Sequence, residues 1–215
     1  SPGAEGFGVK RAGLAVPDSV MLIVSPGCCG RNTSVLSSMR AYQDRFYYLL
    51  MDETDIVTGR HLKKIPKAVV EICEGLKKKP SVVMICITCV DALLGTDMER
   101  VCHKAEEYAG VPVRPCYMYA LTREGRKPPM VHVRQSVYSL LEPKKKKGNV
   151  VNLLGYFSPL TDDCELYDLL HGAGVKTIHE ISRCKDYAQY QTMSEANFNL
   201  VLHPEARFAA EDFHD

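Results

Sequence analysis

The sequence predicts an α/β protein, a Rossmann-like parallel-sheet domain followed by part of a second Rossmann-like domain. Two observations carry that expectation. Short apolar runs alternate with longer amphipathic segments, the arrangement of β-α-β units around a parallel sheet. The alternation is broken at residues 142–149 by EPKKKKGN, a proline, four lysines and a glycine between two apolar stretches, and it then restarts. With 215 residues, 46% of them hydrophobic and 25% charged, the chain has enough apolar material for a core, which excludes disordered and collagen-like classes.

In chain order, strands are expected at Val20 to Val24, Ser81 to Thr88, Val111 to Tyr117, Val150 to Leu154, Val175 to His179 and Phe198 to Leu202, each a short run rich in Val, Ile or Leu. Between them, Leu62 to Leu76 places Ile65, Val69, Ile72 and Leu76 at helical spacing, with Pro66 early in the helix. Helices are also expected over Cys89 to Glu107 and Cys164 to His171, from Asn32 to Leu50, and from Ala206 onward. The lysine-rich break divides the chain into a first domain over 1–143, a linker over 144–148, and 149–215 as the opening of a second, truncated domain. The lysines read as a solvated linker, with a nucleic-acid or partner contact as the alternative.

Twenty-seven Lys and Arg against 26 Asp and Glu leave a formal charge of +1, which argues against nonspecific binding to nucleic acid. No apolar run reaches the ~18 residues of a membrane span, and the opening SPGAEGFGVKRAG lacks the apolar middle of an export signal. A cytoplasmic, membrane-free protein follows as the expectation, and its nine cysteines should then be reduced thiols rather than a disulfide scaffold.

Two cysteine sites fall where open parallel sheets bind ligands, at strand ends that lead into helices. SPGCCGRNTS places Cys28 and Cys29 after the strand ending at Val24, and MICITCVDALLG places Cys89 after the strand ending at Thr88. Helix amino ends favour thiolate, the metal-ligating form. Cys86 and Cys89 also form a CxxC at that junction, which suits a thiol redox pair, although strand alternation equally lets Cys86 face a core. Cys73, Cys102 and Cys116 read as packing. Neither a GxxxxGK[ST] loop nor a complete GxGxxG after a strand occurs, so any ATP dependence belongs to a partner.

These segments resemble the nitrogenase component 1 and nitrogenase-like oxidoreductase family. SPGCCGRNTS is similar to the family's cluster-ligating segment, with Cys29 on the ligand position and Cys28 beside it. DETDIVTGRHLKKIPKAVVEI resembles its acidic segment, turn and helix, with Gly59 matching and Arg60 departing. ITCVDALLGTDMERV resembles its Thr-Cys signature, matching at Thr88, Cys89, Gly95 and Asp97, with Thr96 departing. VVNLLGYF and EANFNLVLHPEARFAAEDF resemble strands of its second domain.

The resemblance implies an iron-sulfur cluster, expected to be 4Fe-4S, held by Cys29 and Cys89 with Cys28. Gly3 stands where family members carry a further cysteine, so the ligand set needs an outside fourth ligand or a two-fold partner supplying Cys29 and Cys89 again. At the position where molybdenum nitrogenase binds its cofactor through cysteine, this chain has His203. Three functions are weighed in turn, the first two implied by the resemblance and the third by the CxxC alone. The first is a reductase subunit, in a homodimer or heterodimer with a related subunit, that accepts electrons from an ATP-dependent iron-sulfur reductase and reduces an unidentified substrate. The others are a noncatalytic metallocluster scaffold or maturation protein, and a cluster-free thiol redox protein using Cys86 and Cys89. Family members are longer, so the chain is expected to be a fragment.

Overall fold

The computed structural model describes residues 2–27, 37–118 and 127–213. It contains two parallel sheets. In the first, β1 (Val20–Ser25), β2 (Phe46–Leu50), β3 (Val83–Ile87) and β4 (Val113–Tyr117) lie in the order β2-β1-β3-β4. All three of its pairings are parallel, so every strand ends on one common edge. In the second, β5 (Lys147–Leu154), β6 (Thr177–His179) and β7 (Ala196–Val201) lie in the order β6-β5-β7, also parallel.

The central strands β1 and β3 are buried along their whole length, as strands covered on both faces must be. One face of the first sheet packs Leu22, Val24, Ile85 and Ile87 against α3 (His61–Gly75) and α5 (Met98–Ala109), through Ile65, Val69, Met98 and Ala105. The other face sets Met21, Ile23, Met84 and Cys86 against α1 (Pro2–Gly13) and α6 (Pro129–Tyr138). That second core runs on without a break to Leu154, Ile181, Tyr190 and Ala206, with α6 packed against the first sheet on one side and against the turn at Pro204–Ala206 on the other. Gly13 makes the close approach: a β-carbon there would lie 2.7 Å from the Met21 methyl and 2.9 Å from Cys116 Sγ.

Several expectations are corrected. Residues 46–50 form strand β2, not the end of a helix. Its Phe-Tyr-Tyr-Leu-Leu run suits a strand, and its edge position leaves Tyr48 and Leu50 exposed. The remainder of that expected helix includes residues 32–36, which lie outside the described residues. The helix expected over Cys89 to Glu107 is two, α4 (Cys89–Leu93) and α5. Gly95, at φ +65°, makes the turn between them, and Asp97 caps α5 by accepting the Arg100 N–H at 3.1 Å. α1, α6 and the short α2 (Glu53–Thr58) were not anticipated. β5 begins at Lys147, three residues before the expected start at Val150, with Lys147 paired to Ala196. Pro66 sits beyond the first turn of α3 and leaves the Leu62 carbonyl without its helical donor. No helix among the described residues is long and apolar enough to cross a membrane.

Candidate functional site

The carboxyl edge of the first sheet is where parallel-sheet proteins place ligands. Ser25 ends β1 and leads through Pro26 and Gly27 toward Cys28 and Cys29, which lie outside the described residues. β3 ends beside β1 in register, Val24 opposite Ile87, and after Thr88 the chain turns into α4 with Cys89 as its first residue. Cys89 is a half-buried free thiol, accessible at the edge. Buried hydroxyls flank it: Ser25 Oγ and Thr88 Oγ1 have no hydrogen-bond partner, and neither does Asp91 Oδ2, two residues into α4. Three of the unpartnered buried polar atoms thus gather at one edge.

Cys86 is separated from this chemistry. Its side chain belongs to the core under α1 and α6, fully buried, and burial pushes its thiol up to about 12. Such a thiol holds its proton at neutral pH, which favours packing over thiol exchange with Cys89. Cys116 faces Cys86 across the β3-β4 pair, and burial likewise raises it well above the ordinary thiol range. Burial raises Cys73 and Cys102 too, while Cys164 precedes α7 (Glu165–Gly172) half-buried.

The sequence reading passed over two features, one behind this edge and one at the opposite, amino end of the first sheet. The first is a buried contact behind Cys89, in which His61 Nε2 meets Asp91 Oδ1 at 2.8 Å and His61 Nδ1 meets the Asp55 carbonyl at 3.0 Å. The second is a cavity of about 660 Å³ between α1 and the loops that follow β5 and β6. Arg11, Arg45 and Lys185 line it together with Tyr42, Phe157 and Ser182. Its one carboxylate, Asp18, is already paired with Lys78 at 2.8 Å. Arg45 is fixed by Nε donating to the Ser19 carbonyl (2.9 Å) and Nη2 donating to the Leu14 carbonyl (2.8 Å), and burial lowers its pKa. Ser182 Oγ is buried without a partner. The lining therefore carries more positive than negative charge, Arg11, Arg45 and Lys185 against Asp18, in a concave setting, which attracts anions. Neither feature shows in a linear motif, because the cations come from α1, the approach to β2 and the loop after β6.

His203 follows β7 and caps the turn Pro204–Ala206, its Nδ1 accepting the Glu205 N–H at 3.3 Å. Its ring stands edge-on to Tyr156, centroids 5.8 Å apart. Buried Arg134 ties this corner together, donating from Nε and Nη2 to the Gly155 carbonyl (3.1 and 2.7 Å) and from Nη1 to Glu205 (2.8 Å). Among the described residues no three His, Cys, Asp or Glu side chains converge as a metal site.

Two parallel sheets flanked by helices, with a free thiol at the strand ends of the first, define an α/β protein of the open parallel-sheet class. The family described as nitrogenase component 1 type oxidoreductase matches residues 5–215, and the chain belongs to it. Its curated relatives include the nitrogenase iron-molybdenum cofactor biosynthesis protein NifE of Rhizobium meliloti (strain 1021), 28% identical over 202 residues, covering 91% of this chain and 42% of that protein. The protein of the same name from Sinorhizobium fredii (strain NBRC 101917 / NGR234) is 30% identical over 176 residues, covering 79% of this chain and 35% of that one. The chain thus spans less than half the length of these relatives. Among solved structures, nitrogenase Cp1 at pH 6.5 shares the fold, with a TM-score of 0.66 at 22% identity over 95% of this chain and 43% of that one.

Proposed function

We propose that the chain is part of a metallocluster scaffold or maturation protein, with the cationic cavity as the cradle for an anionic cluster cargo. The observation that carries this reading is the cavity itself: Arg11, Arg45 and Lys185 line it against a single carboxylate, Asp18, which also pairs with Lys78 outside. Iron-sulfur clusters with their thiolate ligands are anionic, so such a lining would hold one while leaving the fold unchanged. The relatives' names, which refer to cofactor biosynthesis, move the weight from the reductase reading to this one.

The strand-end site has a separate role. Cys89 and Cys29, with Cys28, are the residues that would hold the irons of a resident cluster, and the cluster would supply one-electron transfer. The accessible thiol and the unpartnered hydroxyls beside it fit such a group. One cysteine donor among the described residues leaves room for a second subunit to complete the set. Exposed Leu50, Val57, Leu93 and Leu94, at or near the same edge, support a protein partner there. An ATP-dependent iron-sulfur reductase is the partner expected to deliver electrons. Residues 1–143 and 149–215 are read as two Rossmann-like units joined by 144–148.

The reading is tested by anaerobic reconstitution followed by iron analysis and electron paramagnetic resonance. The double variant Arg11→Glu/Lys185→Glu should lose the iron that transfers to an acceptor protein and keep the resident cluster; Cys29→Ala/Cys89→Ala should do the reverse. Substrate turnover with a reductase and ATP, without iron transfer to an acceptor, would overturn the scaffold reading in favour of the enzyme.

A further inference from the structure

α4 has five residues, too few to hold its own shape, and its outer side is unanchored because Leu93 and Leu94 are exposed. Its buried anchor is Asp91. One carboxylate oxygen, Oδ1, meets His61 Nε2 at 2.8 Å and accepts from Thr96 Oγ1 at 3.2 Å, while the Thr96 N–H donates to the Asp91 carbonyl at 3.1 Å. His61 is locked from its other side, because Nδ1 must carry a proton to donate to the Asp55 carbonyl. Nε2 and Oδ1 therefore share a single proton between them. Asp55 is itself fixed: its carboxylate accepts from Lys64 Nζ at 2.7 Å and Arg60 Nε at 2.8 Å, and its N–H donates to Asp52 at 2.7 Å. His61 and Asp91 are both buried, at 1% and 0% exposure, and Asp91 Oδ2 has no partner at all. Burying a carboxylate with one bare oxygen costs stability, so this pair is a poor way merely to fill space.

We propose that His61 and Asp91 are positioning residues for Cys89: a buried strut that fixes α4 against the start of α3 and so sets where the thiol stands at the sheet edge. Its meaning for metal binding rests on the reading of Cys89 as a cluster ligand; the strut itself does not. It also links Cys89 to the exposed charged segment 52–64, through the Asp55 carbonyl.

The apo protein provides the first test, by iodoacetamide labelling with each cysteine read by peptide mass spectrometry. Asp91→Ala should change the Cys89 labelling rate by about tenfold and leave Cys164 unchanged, and Asp91→Asn, which keeps a hydrogen bond to the ring, should restore the rate to within about threefold. Gly13→Ala, which disturbs the opposite face of the sheet, serves as a destabilised control. If Asp91→Ala does not fold, His61→Asn is read instead, since it keeps a donor for Asp55 and gives up the reach to Asp91. An unchanged Cys89 rate, or a change equal to that of Gly13→Ala, overturns the strut. Iron uptake provides the second test: a loss of affinity of about tenfold or more in Asp91→Ala is expected. A shifted labelling rate in a protein whose wild type takes up no iron sinks the cluster reading and leaves the strut standing.

Discussion

Gly155→Ala is the substitution whose effect the structure fixes most closely. Gly155 follows β5 directly at φ +130°, a conformation that side-chain-bearing residues rarely adopt, and a β-carbon there would lie 2.7 Å from both the Cβ and the backbone nitrogen of His203. The backbone strain costs about 1–3 kcal/mol. Overpacking against an immovable backbone adds about 1–3 kcal/mol. The sum, about 2–6 kcal/mol, is a large share of the roughly 5–15 kcal/mol that holds a native protein together. With a urea slope of about 2 kcal/mol per molar, the unfolding midpoint should fall by about 1–3 M. Gly148→Ala, with nothing within 4 Å of its added β-carbon and no positive φ, is the control and should stay within about 0.5 kcal/mol of the parent. A Gly155→Ala midpoint within about 0.3 M of the control would refute the reasoning, because neither the clash nor the strain would then exist in solution.

Other outcomes follow from the same structure. Gly13→Ala, which meets the movable ends of Met21 and Cys116, should destabilise by about 1–3 kcal/mol in the same urea assay. Burial raises the Cys86 thiol to about 12, above its unfolded value, so its contribution is complete below about pH 9 and falls by about 1.4 kcal/mol per unit between pH 9 and pH 12. Cys86→Ala should flatten that alkaline decline in urea midpoints. Asp55 behaves oppositely: Lys64 and then Arg60 hold its carboxyl well below the usual carboxylate range, so its contribution is present above about pH 4 and is lost as the solution becomes more acid. Asp55→Asn should lose less stability than the parent when circular-dichroism melts at neutral pH are compared with melts below pH 4. In the native protein, thiol titration near neutral pH should register Cys89 and Cys164 early, with Cys86, Cys102 and Cys116 reacting only on unfolding.

Strands buried on both faces announce themselves in sequence, which is why β1 and β3 were legible as runs of Val, Ile and Met. β2 was not, because an edge strand alternates burial and exposure, and its tyrosines follow a segment with mixed signals. α1 hides for a different reason: it carries four glycines and gains its stability by lying against α6 and the sheet, not from helix propensity. Cys89 was identifiable because a strand-to-helix junction is a local pattern. His61 and Asp91 were not, since they lie in different segments and only the packing of α3 on α4 makes them a pair. The cavity cations are equally scattered along the chain. Local order writes itself into neighbouring residues, whereas a site assembled from several crossovers leaves no such trace.

The core beneath α1 and α6 passes from Met84 and Cys86 of one sheet to Leu154 of the other and on to Tyr190, as one continuous cluster of buried apolar side chains. Heat should therefore melt both sheets in a single transition, and the slowest-exchanging amides of β3 and β5 should open together. Cutting the chain before β5 would strip α6 of part of its cover, so the first sheet should be insoluble or molten alone, although its own strands would be complete. What reads in sequence as a solvated linker of four lysines works mechanically as a seam between parts that share one interior.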